Sequence, residues 1–421
     1  MTEASVAEYE PRIDSREAAE ALPLGVKSGR VVAIDALRGF DMIWILGAEG
    51  LARAVGNAFA GHRWADVLSV QMTHEDWEGI HFYDLIFPTF LFIIGTSLVY
   101  SLSKLISRGG RSAAVKRIVI RSIAMWAIGV FMYGGFSYYW PWLRLVGVLQ
   151  RLAFCYLVAG LLFTFCSPRV MAIVTVVLLL GYWGLLTFVR MPNEAKVSFA
   201  EGHNIVNWFD ARFLPGRKWD LKPIPHDPEG LLSTFPSICT CLLGVFAGLL
   251  LRGERPRPWQ KAMLLIFGGA ALTAIGYLWG DPHFDWRFRF PLIKKLWTSS
   301  YVLAAGGYSA MALGLFYLLM DVWGAGLPLW SRLRVPPLFV LLAQPFIWIG
   351  MNAILLYVVI DGNLIEVKEK LARRLVGGNI SWSIEHHWGA QWPPVVLNAV
   401  TVLIVLLIAR FLYKRQLFLR L

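Results

Sequence analysis

Charge is scarce in this sequence. Only 16% of its 421 residues are Asp, Glu, Lys or Arg, while 57% are hydrophobic, a balance that excludes an ordinary soluble domain of this length. Cysteine is scarce too. The four copies, Cys155, Cys166, Cys239 and Cys241, fall in apolar stretches without metal-site spacing, which argues against a disulfide framework, a zinc cluster or any other metal. The first 30 residues are polar and mixed in charge and lack the apolar core of a cleaved signal peptide. There is no Gly-rich phosphate loop, no fixed-period repeat and no segment that reads as a separate soluble domain. A net charge of +12 raises the question of nucleic acid, but the basic residues are spread over alternate loops rather than gathered in one groove, so no nucleic-acid partner is expected.

What is present is apolar runs of membrane length. A spanning helix needs about 20 mostly apolar residues. Ten stretches qualify: 33–56, 83–103, 117–136, 144–166, 170–190, 233–252, 260–279, 297–320, 338–360 and 395–413. Pro345 marks the ninth as a run that can split or kink. Many of the 19 tryptophans fall at the ends of these runs, at headgroup depth. Between the second and third runs and at the start of the third lie Lys104, Arg108, Arg111, Lys116, Arg117 and Arg121. Every second loop thereafter is basic again: Arg169, then Arg252, Arg255, Arg257 and Lys261, then Arg332 and Arg334, and finally Lys414, Arg415 and Arg420 in the tail. Cytoplasmic loops retain Lys and Arg, which assigns these loops and both termini to the cytoplasm. The expectation is an all-α, polytopic integral membrane bundle of about ten helices, N-in and C-in, with residues 1–30 as a cytoplasmic segment and helix one as the uncleaved targeting signal.

Segments 57–82, 191–232 and 361–394 then fall on the outer side with the shorter 280–296, and these are the places for an extracytoplasmic ligand. Asp35, Arg38, Asp41, Glu49, Asp84 and Arg151 lie inside spans, where ionisable groups are costly and normally mark a functional path. Asp35, Arg38 and Asp41 are three apart on one helical face. They read either as an ion-pair ladder fixing helix one or as the setting of an arginine that meets a cytosolic anion. The stretch Thr73–Pro88 gathers titratable groups above an apolar span. His74 and His81 are both candidate general bases there, since neutral imidazole suits that role and neighbouring carboxylates can orient it; solvated loop histidines are the plain alternative.

The run His74-x-x-Trp77-x-Gly79, followed by Asp84-Leu85-x-Phe87-Pro88 and Phe92-Ile93-x-Gly95, closely resembles the heparan-α-glucosaminide N-acetyltransferase family of transmembrane acetyltransferases. The likeness continues through Gly147–Leu152, Asp227–Gly230, Lys294–Tyr301, Gly350–Ile354 and Leu412–Arg415, in order from about residue 31 to the end. The resemblance implies that residues 31–421 form a transmembrane acetyltransferase domain. It would carry an acetyl group from cytosolic acetyl-CoA, as cosubstrate, to an amino sugar on the far side, with His74 matching the catalytic histidine. The charge-based topology places His74 outside, as that scheme requires. The lysosomal members have an extra luminal domain that this sequence is expected to lack, which points to a multi-pass protein of a bacterial inner membrane. Membrane lipid and a second copy of the chain are the other partners to consider.

Where the lysosomal members have an Asn-bearing segment, this chain has Leu46-Gly47-Ala48-Glu49-Gly50. Glu49 then either orients His74, binds the sugar, or pairs with Arg53 or Arg151. Gln150 and Arg151 fall about two turns below the outer end of helix four, a depth that suits a buried chamber. Glu229 precedes helix six, as a cap or as a sugar ligand. Trp77 and Asp84 belong to the family-like block and join the substrate-binding set. Lys294 can bind a carbohydrate by charge and Trp297 by its flat face, Trp297 serving equally as an interface anchor. The amide of Gln150 or Asn352 can hold the tetrahedral oxyanion, helix–helix bonding being the other reading of Asn352. Arg38, Arg117 and Arg121 are the candidate partners of the CoA phosphates. Direct transfer and an acetyl-histidine intermediate both fit. The rival functions are a glycan or lipid-linked-sugar flippase and a noncatalytic membrane scaffold.

Overall fold

The computed structural model describes residues 31–283, 288–324, 338–361 and 367–418. The segment 1–30 and residues Arg332, Arg334 and Arg420 lie outside the described residues. In chain order the helices are α1 (Val32–Ile43), α2 (Glu49–Ala58), α3 (Arg63–Gln71), α4 (Ile86–Met132), α5 (Val148–Phe165), α6 (Pro168–Phe188) and α7 (Ile205–Phe213). They continue as α8 (Thr234–Arg252), α9 (Pro258–Gly280), α10 (Ser299–Tyr317), α11 (Leu338–Gly350), α12 (Ala353–Leu356), α13 (Val367–Val376), α14 (Asn379–Trp388) and α15 (Trp392–Lys414). Among the described residues there are no strands, only isolated backbone bridges such as Glu78 with Ile293 and Arg144 with Gly216.

The chain is an all-α polytopic membrane protein. Seven helices among the described residues are long and apolar enough to cross a bilayer, or eight if the bent pair Leu341–Gly350 and Ala353–Ile360 is one crossing. The expected runs 83–103 and 117–136 both fall in the continuous stretch Phe82–Met132. They part at Gly110, whose φ of 74° and ψ of −178° interrupt the helix, a conformation that favours glycine. The expected run 33–56 is divided into α1 and α2 by a π-helical segment, Trp44–Ala48, with Gly47 at φ 139°.

Two boundaries differ from the sequence reading. The ninth run is not split at Pro345, which α11 carries in its interior at the loss of one backbone bond. It turns by 69° around Met351 and Asn352 instead. Helix α5 begins only at Val148, because Arg144 is held in a bridge to Gly216 and Gly147 is extended. Gln150 and Arg151 therefore stand in the first turn of α5, not two turns down.

Glycines set the closest crossings. A Cβ on Gly39 would meet the Phe346 carbonyl oxygen at 1.7 Å, and one on Gly350 would meet that of Asp35 at 1.9 Å, so α1 and α11 cross with backbones in contact. Gly95 against Cys241 and Gly244 against Phe92 do the same for α4 and α8. Small residues are what permit such approach between membrane helices. These two crossings fix the walls of the space described next.

Candidate active site

The segment after α3 is folded around one carboxylate. Asp84 is fully buried, and its Oδ2 accepts from the backbone N–H groups of Glu75 and His81, each at 3.0 Å. Its Oδ1 lies 2.8 Å from His74 Nδ1 and accepts from Lys294 Nζ at 3.0 Å. The Asp84 backbone oxygen accepts from Tyr301 Oη at 2.7 Å. A carboxylate so placed favours the imidazole tautomer with its proton on Nδ1, because a carboxylate can only accept. That leaves Nε2 with the lone pair. The His74 ring also lies 4.8 Å from the Tyr83 ring, tilted by 36°.

Lys294 comes from a loop 220 residues away and approaches His74 Nδ1 at 2.9 Å. Backbone contacts between the two loops hold it there: Gly79 N–H donates to the Leu292 carbonyl at 2.9 Å, beside the Glu78–Ile293 bridge. Burial lowers the Lys294 ammonium below the usual lysine value, against the opposing pull of Asp84. Glu229 faces the same space. Its carboxylate accepts from Arg144 at 2.8 Å, while burial, assisted by the Asp227 charge, raises it above the usual glutamate value. Arg144 makes a two-pronged pair with Asp227 at 2.9 and 2.7 Å and lies between the rings of Tyr133 and Trp219.

A single cavity of about 550 Å³ joins this cluster to the opposite side of the bundle. His74, Tyr83, Glu229 and Lys294 line it, and so do Arg38, Arg117 and Arg121. Along α4 its wall runs from Ile86 through Phe90 and Ile94 to Ser97 and Ser101, roughly 22 Å of helix at 1.5 Å per residue. That is most of a hydrocarbon core about 30 Å thick. Arg38 is fixed at the deep end by Asp35 at 3.1 Å, the Gly350 carbonyl at 3.3 Å and Ser97 at 2.6 Å. Arg121 donates to Tyr156 Oη at 3.3 Å and lies over that ring. The chamber is thus apolar along its walls, basic at one end and dyad-bearing at the other.

Other residues singled out from the sequence lie elsewhere. Glu49 pairs with Arg53 at 2.9 Å, one turn along α2. Trp77 donates to the Phe199 carbonyl at 2.8 Å and packs under Lys295. Trp297 is 1% exposed and bonded to Thr240, with Arg151 over its face, so it is neither a surface platform nor an interface anchor. Arg151 donates to the Pro228 carbonyl at 3.0 Å and to Ser233. Gln150 and Asn352 are buried and their amides have no protein partner; their neighbours Leu149 and Met351 line the chamber. Asp41 does not join the Arg38 cluster but faces a second cavity of about 350 Å³, which His81 also lines. His81 has both ring nitrogens engaged, with the Thr73 carbonyl at 3.1 Å and Glu75 at 2.8 Å. The partner of His74 is thus Asp84, ten positions on, not the adjacent Glu75 or Asp76. Arg144, Tyr83 and Tyr301 were missed. Arg144 was the most accessible of these, an arginine standing just ahead of the Gly147–Leu152 block.

Fold and site together define a polytopic membrane protein with a chamber of nearly membrane depth that ends on a His–Asp pair. The chain is similar to heparan-alpha-glucosaminide N-acetyltransferase of Mus musculus, 26% identical over 405 residues, which is 82% of this chain and 56% of that protein. It is equally similar to the Homo sapiens protein of the same name, 26% identical over 403 residues, 82% of this chain and 55% of that protein. These matches support a family-level relationship, and the chain spans just over half the length of these relatives. No family model matches the chain.

Proposed function

We propose that this chain is a transmembrane acetyltransferase. It takes acetyl-CoA at the Arg38, Arg117 and Arg121 end of the chamber and delivers the acetyl group to an amino sugar at the His74 end. The observation that carries this reading is the single chamber that has the His74–Asp84 pair at one end and three arginines at the other. Arginines match phosphate oxygens by charge-assisted bonds, and the apolar walls suit a pantetheine arm.

In this scheme Asp84 holds His74 with Nε2 facing the chamber. His74 Nε2 removes a proton from the acceptor nitrogen as that nitrogen attacks the thioester carbonyl carbon. The C–N bond forms, the C–S bond breaks, and the thiolate leaves with the proton that His74 returns. Lys294 Nζ stands beside the dyad as a donor for the developing oxyanion. The amides of Gln150 and Asn352 are further donors, each one residue from the chamber wall. Glu229 takes the acceptor's ammonium or hydroxyls, with Arg151 behind it. Transfer is direct, because the oriented imidazole serves as a base without forming an acyl bond. The proposed setting is a bacterial inner membrane crossed ten times, with both termini in the cytoplasm.

The test is turnover of acetyl-CoA by the purified chain against glucosamine and a panel of other amino sugars, followed as free CoA and as acetylated product. Acceptor-dependent release that vanishes in His74→Ala supports the proposal. Acetyl-CoA binding without transfer to any amine, or no binding at all, overturns it.

A further inference from the structure

Away from the chamber, three ligand-type side chains converge where the outer loop 191–232 folds back on itself. His226 is fully buried, and its Nδ1–H donates to the Ile224 carbonyl at 2.8 Å. A backbone bond of that kind puts a proton on Nδ1, so that in the neutral ring Nε2 carries the lone pair, the usual arrangement behind a metal-bound imidazole. That lone pair faces Glu201 Oε1 at 3.2 Å and Asp220 Oδ2 at 3.5 Å. Both are acceptors. Asp220 Oδ2 is shielded from solvent and makes no close hydrogen bond, its nearest cation being the Lys295 ammonium at 3.4 Å. The three ligand atoms lie within 4.8 Å of one another. A reciprocal backbone pair, Asp220 with His226 at 3.1 and 2.9 Å, holds two of the three ligands in register.

With the ring neutral, three acceptors converge and need a cation. Lys295 Nζ serves the two carboxylates, 2.8 Å from Glu201 and 3.4 Å from Asp220. The spacing also suits an ion: zinc bonds of about 2.0–2.1 Å in a tetrahedron place neighbouring ligand atoms about 3.3 Å apart, close to the two imidazole–carboxylate distances. One imidazole with two carboxylates fits a zinc-type ion, whereas calcium and magnesium favour all-oxygen sets.

We propose that Glu201, Asp220 and His226 bind a divalent transition ion of the zinc type, with the Lys295 ammonium as its competitor for the carboxylates. The ion would fasten the outer loop to itself and set the position of the loop that carries Lys295 and its neighbour Lys294. It takes no part in the transfer chemistry, so the site stands or falls independently of the acetyltransferase reading.

The test uses the full chain, purified in detergent, stripped with chelator and titrated separately with Zn²⁺, Mg²⁺ and Ca²⁺. Bound metal and melting temperature are both measured. The expected result is one zinc per chain with a raised Tm, and neither effect with magnesium or calcium. His226→Gln should weaken zinc by more than about 100-fold, beyond the 10–100-fold typical of losing an outer partner. Glu201→Gln, at a half-buried position, reports the same loss should His226→Gln fail to fold. Lys295→Met removes the competing ammonium and should bind zinc as tightly as wild type or more tightly. If Lys295 merely completes an ion-pair cluster, that variant loses stability and takes up no zinc. Absence of stoichiometric zinc in both wild type and Lys295→Met overturns the site, as does undiminished binding in folded His226→Gln.

Discussion

Asp84→Asn tests the orienting role of the buried carboxylate, while also removing the charge that pairs with Lys294. The side chain is fully buried and has four N–H partners: two backbone groups on Oδ2, and His74 and Lys294 on Oδ1. An amide of the same shape keeps one oxygen. With that oxygen left on the Glu75 and His81 amides, the new NH₂ faces His74 Nδ1 and donates to it. The imidazole must then carry its proton on Nε2 and cannot act as a base. The same exchange in a Ser–His–Asp hydrolase, where the carboxylate likewise fixes the tautomer, costs about 10⁴ in kcat. Here the loss expected is about 10³–10⁴-fold in kcat, or about 4–5 kcal/mol. The acetyl-CoA KM should stay near wild type, because the arginines lie at the far end of the chamber. Steady-state release of CoA at a saturating concentration of whichever amino sugar proves to be the acceptor measures it, with Tm as the control for folding. A folded Asp84→Asn enzyme within tenfold of wild type, beside an inactive His74→Ala enzyme, would refute the tautomer argument.

Arg38→Ala should raise the acetyl-CoA KM more than it lowers kcat; unchanged KM in a folded variant returns Arg38 to its role as partner of Asp35 and Ser97. His74→Ala should lose about 10²–10⁴-fold in rate, whereas His81→Ala, whose ring nitrogens are already engaged with Thr73 and Glu75, should cost far less; equal damage at both histidines would point to loop disruption. Asp210 is fully buried, and burial raises its carboxyl to about 6, above the about 3.9 of an unfolded chain. The folded state therefore holds this proton more tightly, and its contribution is greatest below about pH 4 and lost as pH rises through about 6. Asp210→Asn should raise Tm at pH 7.5, by up to about 3 kcal/mol of stability, and change it little at pH 4; a lower Tm at both pH values would sink that account. A cysteine placed at the exposed position 212 should react with an impermeant reagent in intact cells and one at 110 should not, and reversed labelling would invert the topology.

The membrane class was legible because it rests on run length and composition, which survive any error at helix ends. The boundaries that failed did so for tertiary reasons. Pro345 is a strong local signal, yet α11 absorbs it and the chain bends at Met351–Asn352, where Gly350 lies against the α1 backbone. At the site, His74, Asp84 and Lys294 could all be picked out through the resemblance, but their relation could not. His74 and Asp84 meet because residues 75–83 fold back so that two backbone N–H groups bind the carboxylate, and Lys294 arrives from 220 residues away. No periodicity encodes either contact. The reverse happened at Trp297, whose flat face suggested a sugar contact and whose buried ring carries Arg151 instead, while Trp77, placed in the substrate-binding set, donates to Phe199 and lies beside Lys295.

Some of the polar groups left unbonded among the described residues stand next to residues of the chamber wall. Both amide atoms of Gln150, both of Asn352, and Nε and Nη1 of Arg151 are buried without a protein partner, although an unpaired buried group costs about 1–3 kcal/mol. Leucine at 150 or 352 would fit an apolar bundle with no such cost. Leu149 and Leu152 near Gln150, and Met351 and Ala353 near Asn352, line the chamber, so under the acetyltransferase proposal these amides stand beside the space into which a thioester carbonyl would bring an acceptor. Asp84, by contrast, has every oxygen engaged and serves to hold rather than to bind. Under the acetyltransferase proposal the site needs two kinds of residue: saturated groups behind the imidazole, and unsatisfied ones beside the space that the reactants would enter.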